Sequence, residues 1–222
     1  MRTLVCLPTY NEEESIEIMI SEARVLGLDI LVTDGGSTDG TQEIVKRMNV
    51  DLHLRPGKGK GYGIQCALEL AHKRGYETLV VLDSDRTYPP SAIPQLLSHC
   101  AEHKLVMGSR KASDLEWKSK AARFVLGWWL FLFFWRKVQD CTSGMKAMNV
   151  NFFHQKVSTP GFEADMEIIC RVLPIKRGIK EIPIEYRTRL GVSKVHPMVL
   201  LVAIWVVVKT RLGFERKRRA GH

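Results

Sequence analysis

The sequence predicts an α/β domain with a Rossmann-like, mostly parallel sheet flanked by helices. Three short apolar runs, residues 3–7, 30–33 and 78–82, read as buried parallel strands. Amphipathic stretches separate them, which gives a β-α-β-α-β order. Each run also ends in a polar, carboxylate-bearing loop, at the position where open α/β sheets bind their ligands.

After the first strand, Asn11 or Glu12 is placed to cap a helix over residues 14–26. Ser37 or Thr38 with Asp39 starts a second helix that runs to Met48. A third loop, Arg55-Pro56-Gly57-Lys58-Gly59-Lys60-Gly61-Tyr62-Gly63, precedes a helix over residues 64–73. Its glycines allow either close backbone contact with a phosphate or a plain flexible turn, and both readings stand.

The 222 residues are enough for one domain with a sizeable core. Five scattered cysteines, Cys6, Cys66, Cys100, Cys141 and Cys170, form no C-x-x-C pair, so neither a disulfide framework nor a zinc site is indicated. The chain opens on a strand-like segment rather than a secretory signal, which points to a cytosolic catalytic part. A net charge of +9 favours phosphate-bearing partners without choosing among them.

The placement of that charge is more telling. Lys209, Arg211, Arg216, Lys217, Arg218 and Arg219 follow the apolar run 198–208, a membrane-surface pattern rather than a nucleic-acid one, and no nucleic-acid partner is expected. Residues 124–135 form a second apolar run, with three of the five tryptophans, bracketed by Arg123, Arg136 and Lys137. At roughly 12 residues it is shorter than the ~20 a spanning helix needs. Tryptophan with flanking arginine favours the headgroup layer, so this run is expected at a membrane interface with anionic lipids rather than in the core.

Two carboxylate loops carry the chemistry. Asp83-Ser84-Asp85 follows the third strand directly, and carboxylates one residue apart at a strand end can share a hard divalent cation, Mg²⁺ or Mn²⁺, with a diphosphate. Asp34, at the end of the second strand, opens Asp34-Gly35-Gly36-Ser37-Thr38-Asp39-Gly40-Thr41. It is placed either to accept from a base N–H or to build a tight turn and helix cap.

Taken in order, Leu7-Pro8-Thr9-Tyr10-Asn11-Glu12, the Asp34 loop, Asp83-Ser84-Asp85, Gly108-Ser109-Arg110, Asp140-Cys141-Thr142-Ser143-Gly144 and Gly191-Val192-Ser193-Lys194 resemble one family. The chain is similar to the dolichol-phosphate mannose synthases among the inverting family 2 glycosyltransferases. That resemblance implies a single A-type glycosyltransferase domain over residues 1–194. Residues 1–112 would be its nucleotide-sugar half and 113–194 its acceptor half, with 195–222 an apolar helix and basic tail.

The resemblance further implies transfer of a hexose, most simply mannose from GDP-mannose, onto a polyprenyl or dolichyl phosphate at the cytoplasmic face of a membrane. UDP-glucose as donor, an alcohol acceptor served by Asp140, Glu163 or Asp165 as base, and a non-catalytic nucleotide-binding module are the alternatives. By the same resemblance Pro8, Tyr10, Glu12 and Asp34 meet the nucleoside, and Asp83 and Asp85 hold the metal and diphosphate. Arg110, Arg123 and Ser143 receive the acceptor phosphate, and Arg189 and Lys194 close on the donor diphosphate. Asp85, Arg110, Arg123 and Lys194 are the catalytic candidates among these.

Three positions depart from the family pattern: Gly35 stands for a second aspartate, Thr87 for a metal-facing polar residue, and Arg189 lies one residue close to Lys194, which makes Arg187 its substitute candidate. Glu167 matches a family glutamate that either orients a basic residue or supports the fold.

Overall fold

The computed structural model describes residues 1–190 and 198–220, with the side chains of 214–220 outside the description. Its first half runs β1 (Thr3–Thr9), α1 (Ile16–Arg24), β2 (Asp29–Asp34), α2 (Thr41–Arg47), β3 (Asp51–Leu54), α3 (Lys60–Lys73), β4 (Thr78–Val81), α4 (Ile93–Leu97) and β5 (Leu105–Ser109). The second half continues with α5 (Trp117–Phe134), β6 (Lys146–Asn149), α6 (Val150–Phe153), α7 (Ala164–Val172), β7 (Ile179–Pro183) and α8 (Val199–Ala220).

Among the described residues the strands form one seven-stranded sheet in the order β3-β2-β1-β4-β6-β5-β7. β1 pairs in parallel with both β2 and β4, as Cys6 beside Leu31 and Val81 shows. β6 is the exception, antiparallel to both its neighbours β4 and β5. It belongs to the second half of the chain yet lies inside the sheet, so both halves build one layer.

Alternate residues of the central strands enter separate cores. Leu4, Cys6, Leu79 and Val81 face α3, α7 and part of α5, while Val5, Leu7, Val80 and Leu82 face α1 and α4. Burial on both faces explains why these strands are continuous apolar runs rather than alternating ones.

Helix boundaries differ from the sequence expectation in one informative place. α3 begins at Lys60, so Lys60-Gly61-Tyr62-Gly63 is its first turn rather than loop. The glycines answer to a neighbouring backbone: a Cβ on Gly59 would collide with the Pro160 carbonyl, and one on Gly61 with that of Thr159. Gly61 N and Tyr62 N donate to the carbonyls of Gly161 and Pro160, both at 3.1 Å. The glycine-rich segment is thus docked on the 158–161 loop, which accounts for Gly59 and Gly61.

α5 and α8 pack on one another, and the Trp129 indole donates to the Ile204 carbonyl at 3.2 Å. α5 buries Leu126 and Leu130. Its opposite stripe, Phe124, Trp128, Leu132 and Trp135, is exposed, as are Met198, Leu201 and Trp205 near the start of α8. Among the described residues no helix is long and apolar enough to cross a membrane.

Candidate active site

A cleft of about 560 Å³ opens at the carboxyl ends of β1 and β4. Pro8, Tyr10 and Glu12 line it beyond β1, Asp83, Ser84 and Asp85 beyond β4, and Arg110, Thr142, Tyr186 and Arg189 the far wall. The Lys58 ammonium lies 4.8 Å from the centre of the Tyr10 ring.

The turn after β4 is pinned from beneath. Ser84 Oγ bonds Thr9 Oγ1 at 2.9 Å, and the Ser84 carbonyl accepts from Ser15 Oγ at 2.7 Å. The two flanking carboxylates therefore project from a fixed base. Asp85 Oδ1 accepts from the Thr87 amide and hydroxyl, and its Oδ2 meets Arg189 Nη2 at 2.6 Å. Thr87 thereby orients Asp85 from within the fold. Asp83 Oδ1 pairs with Lys60 Nζ at 2.7 Å, and a Cβ on Gly144 would strike its other oxygen.

These residues fit a divalent cation of one kind. Among the described residues no group of three or more His, Cys, Asp or Glu side chains is arranged around a common point. A pair of carboxylates lining a cleft is the usual protein share of a Mg²⁺ site whose other ligands are substrate phosphates and water. Mg²⁺ or Mn²⁺ would be held by Asp83 and Asp85.

Lys60 also pairs with Asp165 Oδ2 at 2.9 Å, and Lys146 with Asp165 Oδ1 at 3.0 Å. Burial opposes the Lys60 charge, but Asp165 and Asp83 outweigh it and hold its pKa above the ordinary lysine value. Burial raises the carboxyl pKa of Asp165, yet the two lysines bring it below the usual value. Motif reading assigns Lys60 no role and Asp165 only that of a base for an alcohol acceptor, and the glycines around Lys60 draw attention away from it.

On the far wall Arg110 grips Asp140 with Nε and Nη2, each at 2.7 Å, and Nη2 also donates to Thr142 Oγ1 at 2.7 Å. Nη1 takes no part in these bonds. The guanidinium lies 5.2 Å from the Tyr186 ring centre and 5.8 Å from that of Tyr88. Burial raises the pKa of Asp140, but the bonds and charge of Arg110 hold it below the usual carboxylate value. Arg123 Nη1 donates to the Arg110 carbonyl at 3.0 Å, so the two arginines are neighbours.

Other sequence candidates lie elsewhere. Asp34 is fully buried, and its carboxylate accepts from the amides of Gly36 and Ser37, the Ser37 hydroxyl and the Gln42 amide. Three of these bonds fall on Oδ1 and build the turn, while Oδ2 accepts from the Ser37 hydroxyl. Ser143 is fully buried, its Oγ accepting from Met145 N at 3.3 Å, while Thr142 lines the cleft beside it. Arg187 holds both oxygens of Glu22 on α1, so of these two arginines it is Arg189 that lines the cleft. Glu167 accepts from the backbone and hydroxyls of Ser158 and Thr159 and pairs with Arg171 at 2.6 Å, so it shapes the loop on which the glycine-rich segment docks. Lys194 and its Gly191-Val192-Ser193-Lys194 motif lie outside the described residues, as do the side chains of Arg216, Lys217, Arg218 and Arg219.

Comparison with known proteins bears on this arrangement. The undecaprenyl-phosphate mannosyltransferase of Micrococcus luteus is 27% identical over an alignment that covers 96% of this chain and 100% of that protein. The polyprenol monophosphomannose synthase of Mycolicibacterium smegmatis is 28% identical, covering 99% and 91%. The dolichyl-phosphate hexose transferase of Haloferax volcanii is 29% identical, covering 87% and 86%. Among solved structures, glucosyl-3-phosphoglycerate synthase from Mycobacterium tuberculosis, in complex with Mn²⁺, UDP-glucose and phosphoglyceric acid, shares the fold with a TM-score of 0.76 at 19% identity, covering 95% of this chain and 79% of that one. Residues 4–154 match the family described as Glycosyl transferase family 2, and with a two-sided α/β sheet, a carboxylate pair at the end of β4 and relatives that extend over nearly its whole length, the chain belongs to that family of glycosyltransferases.

Proposed function

We propose that this protein moves a hexose, mannose from GDP-mannose, onto the phosphate of a polyprenyl phosphate at a membrane surface, with inversion at the anomeric carbon. The observation that carries this reading is the pair Arg110 and Arg123. Arg110 lines the polar cleft, and Arg123, bonded to its carbonyl, lines an apolar groove of about 600 Å³ with Leu115, Phe124, Trp128, Phe131 and Val138. An acceptor with an anionic head and a hydrocarbon tail suits that junction. Relatives named for polyprenyl-phosphate transfer support the same acceptor class, and two of the three are named for mannose.

In the reaction an acceptor phosphate oxygen attacks the anomeric carbon from the face opposite the diphosphate. The new C–O bond forms as the sugar–diphosphate bond breaks, and the nucleoside diphosphate leaves with the bonding pair. A phosphate monoester has a second pKa of about 6, so the nucleophile is already ionised near neutral pH and no proton has to be removed. Of the three carboxylates that could serve an alcohol acceptor as base, Asp140 is paired with Arg110 and Asp165 with Lys60 and Lys146, while Glu163 accepts from the Gly161 amide at 3.0 Å. Pro8, Tyr10 and Glu12 bind the nucleoside. Arg189 and Lys194 neutralise the departing diphosphate, and Arg110 and Arg123 let two anions approach. A divalent cation held by Asp83 and Asp85 would supply Lewis-acid stabilisation to the leaving group.

The deciding experiment is a panel of GDP- and UDP-hexoses incubated with a polyprenyl phosphate in vesicles, the lipid product being identified by mass. A mannosyl lipid from GDP-mannose is the expected product, and the absence of any glycosylated lipid across the panel would overturn the acceptor assignment. Within that assay Arg123→Ala raises the KM for lipid phosphate and leaves nucleotide affinity nearly unchanged. Arg189→Ala does the reverse. Equal loss of nucleotide affinity in both variants contradicts this division.

Membrane attachment is supported by the exposed aromatic stripe of α5 and the apolar start of α8, where Trp128 and Trp205 are 59% and 60% exposed. Tryptophans at this exposure suit the headgroup layer, and basic residues near anionic lipid contribute about 1 kcal/mol each. The protein is therefore expected to float with anionic vesicles at low salt and to detach as ionic strength rises. Retention through high salt and alkaline carbonate would exclude peripheral binding, and failure to float at low salt would exclude the membrane itself.

A further inference from the structure

Beside Asp83 runs a row of buried and half-buried charges, of which Lys60 and Asp165 also line the cleft, and its role here rests on the reading that Asp83 binds a nucleotide-held cation. Lys146, on β6, is fully buried, where an ammonium without a counter-charge is strongly unfavourable. Among the described residues it meets Asp165 Oδ1 at 3.0 Å and the Ser143 carbonyl. Asp165 gives its other oxygen to Lys60 at 2.9 Å, and Lys60 reaches Asp83 Oδ1 at 2.7 Å. The signs alternate along Lys146, Asp165, Lys60 and Asp83, from the core to the cleft.

Two backbone segments are tied to the same row. Lys146 holds the Ser143 carbonyl, and the next residue, Gly144, forms the wall against Asp83 Oδ2. Lys60 opens α3 in the segment docked on the 158–161 loop, which Glu167 holds in shape. A Cβ on Gly144 would collide with Asp83, so the carboxylate has little room to swing.

A buried ion pair is a weak source of stability, because an apolar pair of similar volume often serves the fold as well or better. Its value here lies in how it divides the charge of Lys60. With Asp165 present, Lys60 is shared between two carboxylates and neutralises neither completely. Without Asp165, the whole ammonium would fall to Asp83 and compete with a cation for it. We propose that Asp165 and Lys146 are positioning residues for Asp83: by holding Lys60 between two carboxylates, they keep the Asp83 oxygens fixed and only partly neutralised toward the cation that carries the nucleotide diphosphate.

The test combines Asp165→Asn with Lys146→Met, which removes one buried charge of each sign. The thermal midpoint and the Mn²⁺ concentration for half-maximal nucleotide binding are read by calorimetry, with GDP and with UDP in parallel series. Asp165→Asn lowers the thermal midpoint by leaving Lys146 buried without its counter-charge, Lys146→Met lowers it less because Asp165 keeps Lys60, and the paired change restores most of the loss. The paired variant nevertheless needs at least ~10-fold more Mn²⁺, the scale on which partners behind metal ligands act. A paired variant that regains both stability and a Mn²⁺ requirement within about twofold of the parent makes the network purely structural and overturns the proposal. Should the paired variant fail to fold, Asp165→Glu, which keeps the charge and moves it by one methylene, decides on the same readout by the same thresholds. Asp83→Asn in the same series separates the two layers. If it leaves the Mn²⁺ requirement unchanged, the cation reading falls and takes this proposal with it. If it raises that requirement while the paired variant does not, the proposal alone falls.

Discussion

Asp83→Asn and Asp85→Asn are each expected to bring hexose transfer below about 1% of the parent rate at saturating Mn²⁺, a barrier increase of at least ~2.7 kcal/mol. In the proposed reaction each change would remove a negative ligand from the cation on the departing diphosphate, while the amide keeps the size of the side chain. Folding should survive. Lys60 retains Asp165 when Asp83 is neutralised, and an asparagine at 85 retains a carbonyl that can accept from Thr87. Turnover measured beside circular dichroism and thermal melts checks both halves. A folded variant with more than about a tenth of parental turnover, a loss under ~1.4 kcal/mol, would remove these carboxylates from the metal site.

The largest stability effect is expected at the far wall. Asp140 is fully buried and Arg110 nearly so, and they share two bonds of 2.7 Å. Asp140→Asn leaves the guanidinium charge buried without its counter-ion, a loss of about 3–5 kcal/mol. For a chain of this size each kcal/mol moves the thermal midpoint by roughly 2–4 °C, so a fall of about 6–20 °C is expected. The pH dependence has a definite sign. Because Arg110 depresses the folded-state pKa of Asp140, the pair contributes fully above the unfolded value of about 3.9, and that contribution is lost as pH falls through the lower folded value. Parent and variant should therefore differ most near pH 7, begin to converge below about pH 4 and meet only below the depressed folded-state value in urea titrations. A difference under ~1 kcal/mol at pH 7 would mean that solvent reaches the pair and screens it.

The two arginines also illustrate why motif reading and geometry are complementary. Gly108-Ser109-Arg110 and Asp140-Cys141-Thr142-Ser143-Gly144 stand out separately in the sequence, but nothing in their spacing says that Arg110 and Asp140 bond. The pairing arises because β5 ends at Ser109 while the 140–144 loop leads into β6, its antiparallel neighbour. Side chains 30 positions apart are brought together there, and Ser143 is turned into the core so that Thr142 faces the cleft.

By itself the sequence determined the α/β class, the parallel strands β1, β2 and β4 but not β3 (Asp51–Leu54), the carboxylate pair after the strand that starts at Thr78, and two apolar runs with basic flanks. All of these are local signals: a strand buried on both faces must be apolar throughout, and a site at a sheet's carboxyl edge must follow such a run directly. Tertiary structure alone decided which polar residues face the cleft. Asp34 is a prominent loop carboxylate in the sequence, and the fold shows that it is buried and that its Oδ1 also shapes the turn through neighbouring amides. Lys60 reads as one more basic residue in a flexible loop until contact with the 158–161 backbone folds it into the first turn of α3, beside Asp83 and Asp165. The placement of β6 inside the sheet was equally hidden, since antiparallel insertion depends on partners far along the chain rather than on the four residues of the strand. Local periodicity records which atoms must leave water, whereas the partner of a buried charge is fixed by distances that exist only once the chain has folded.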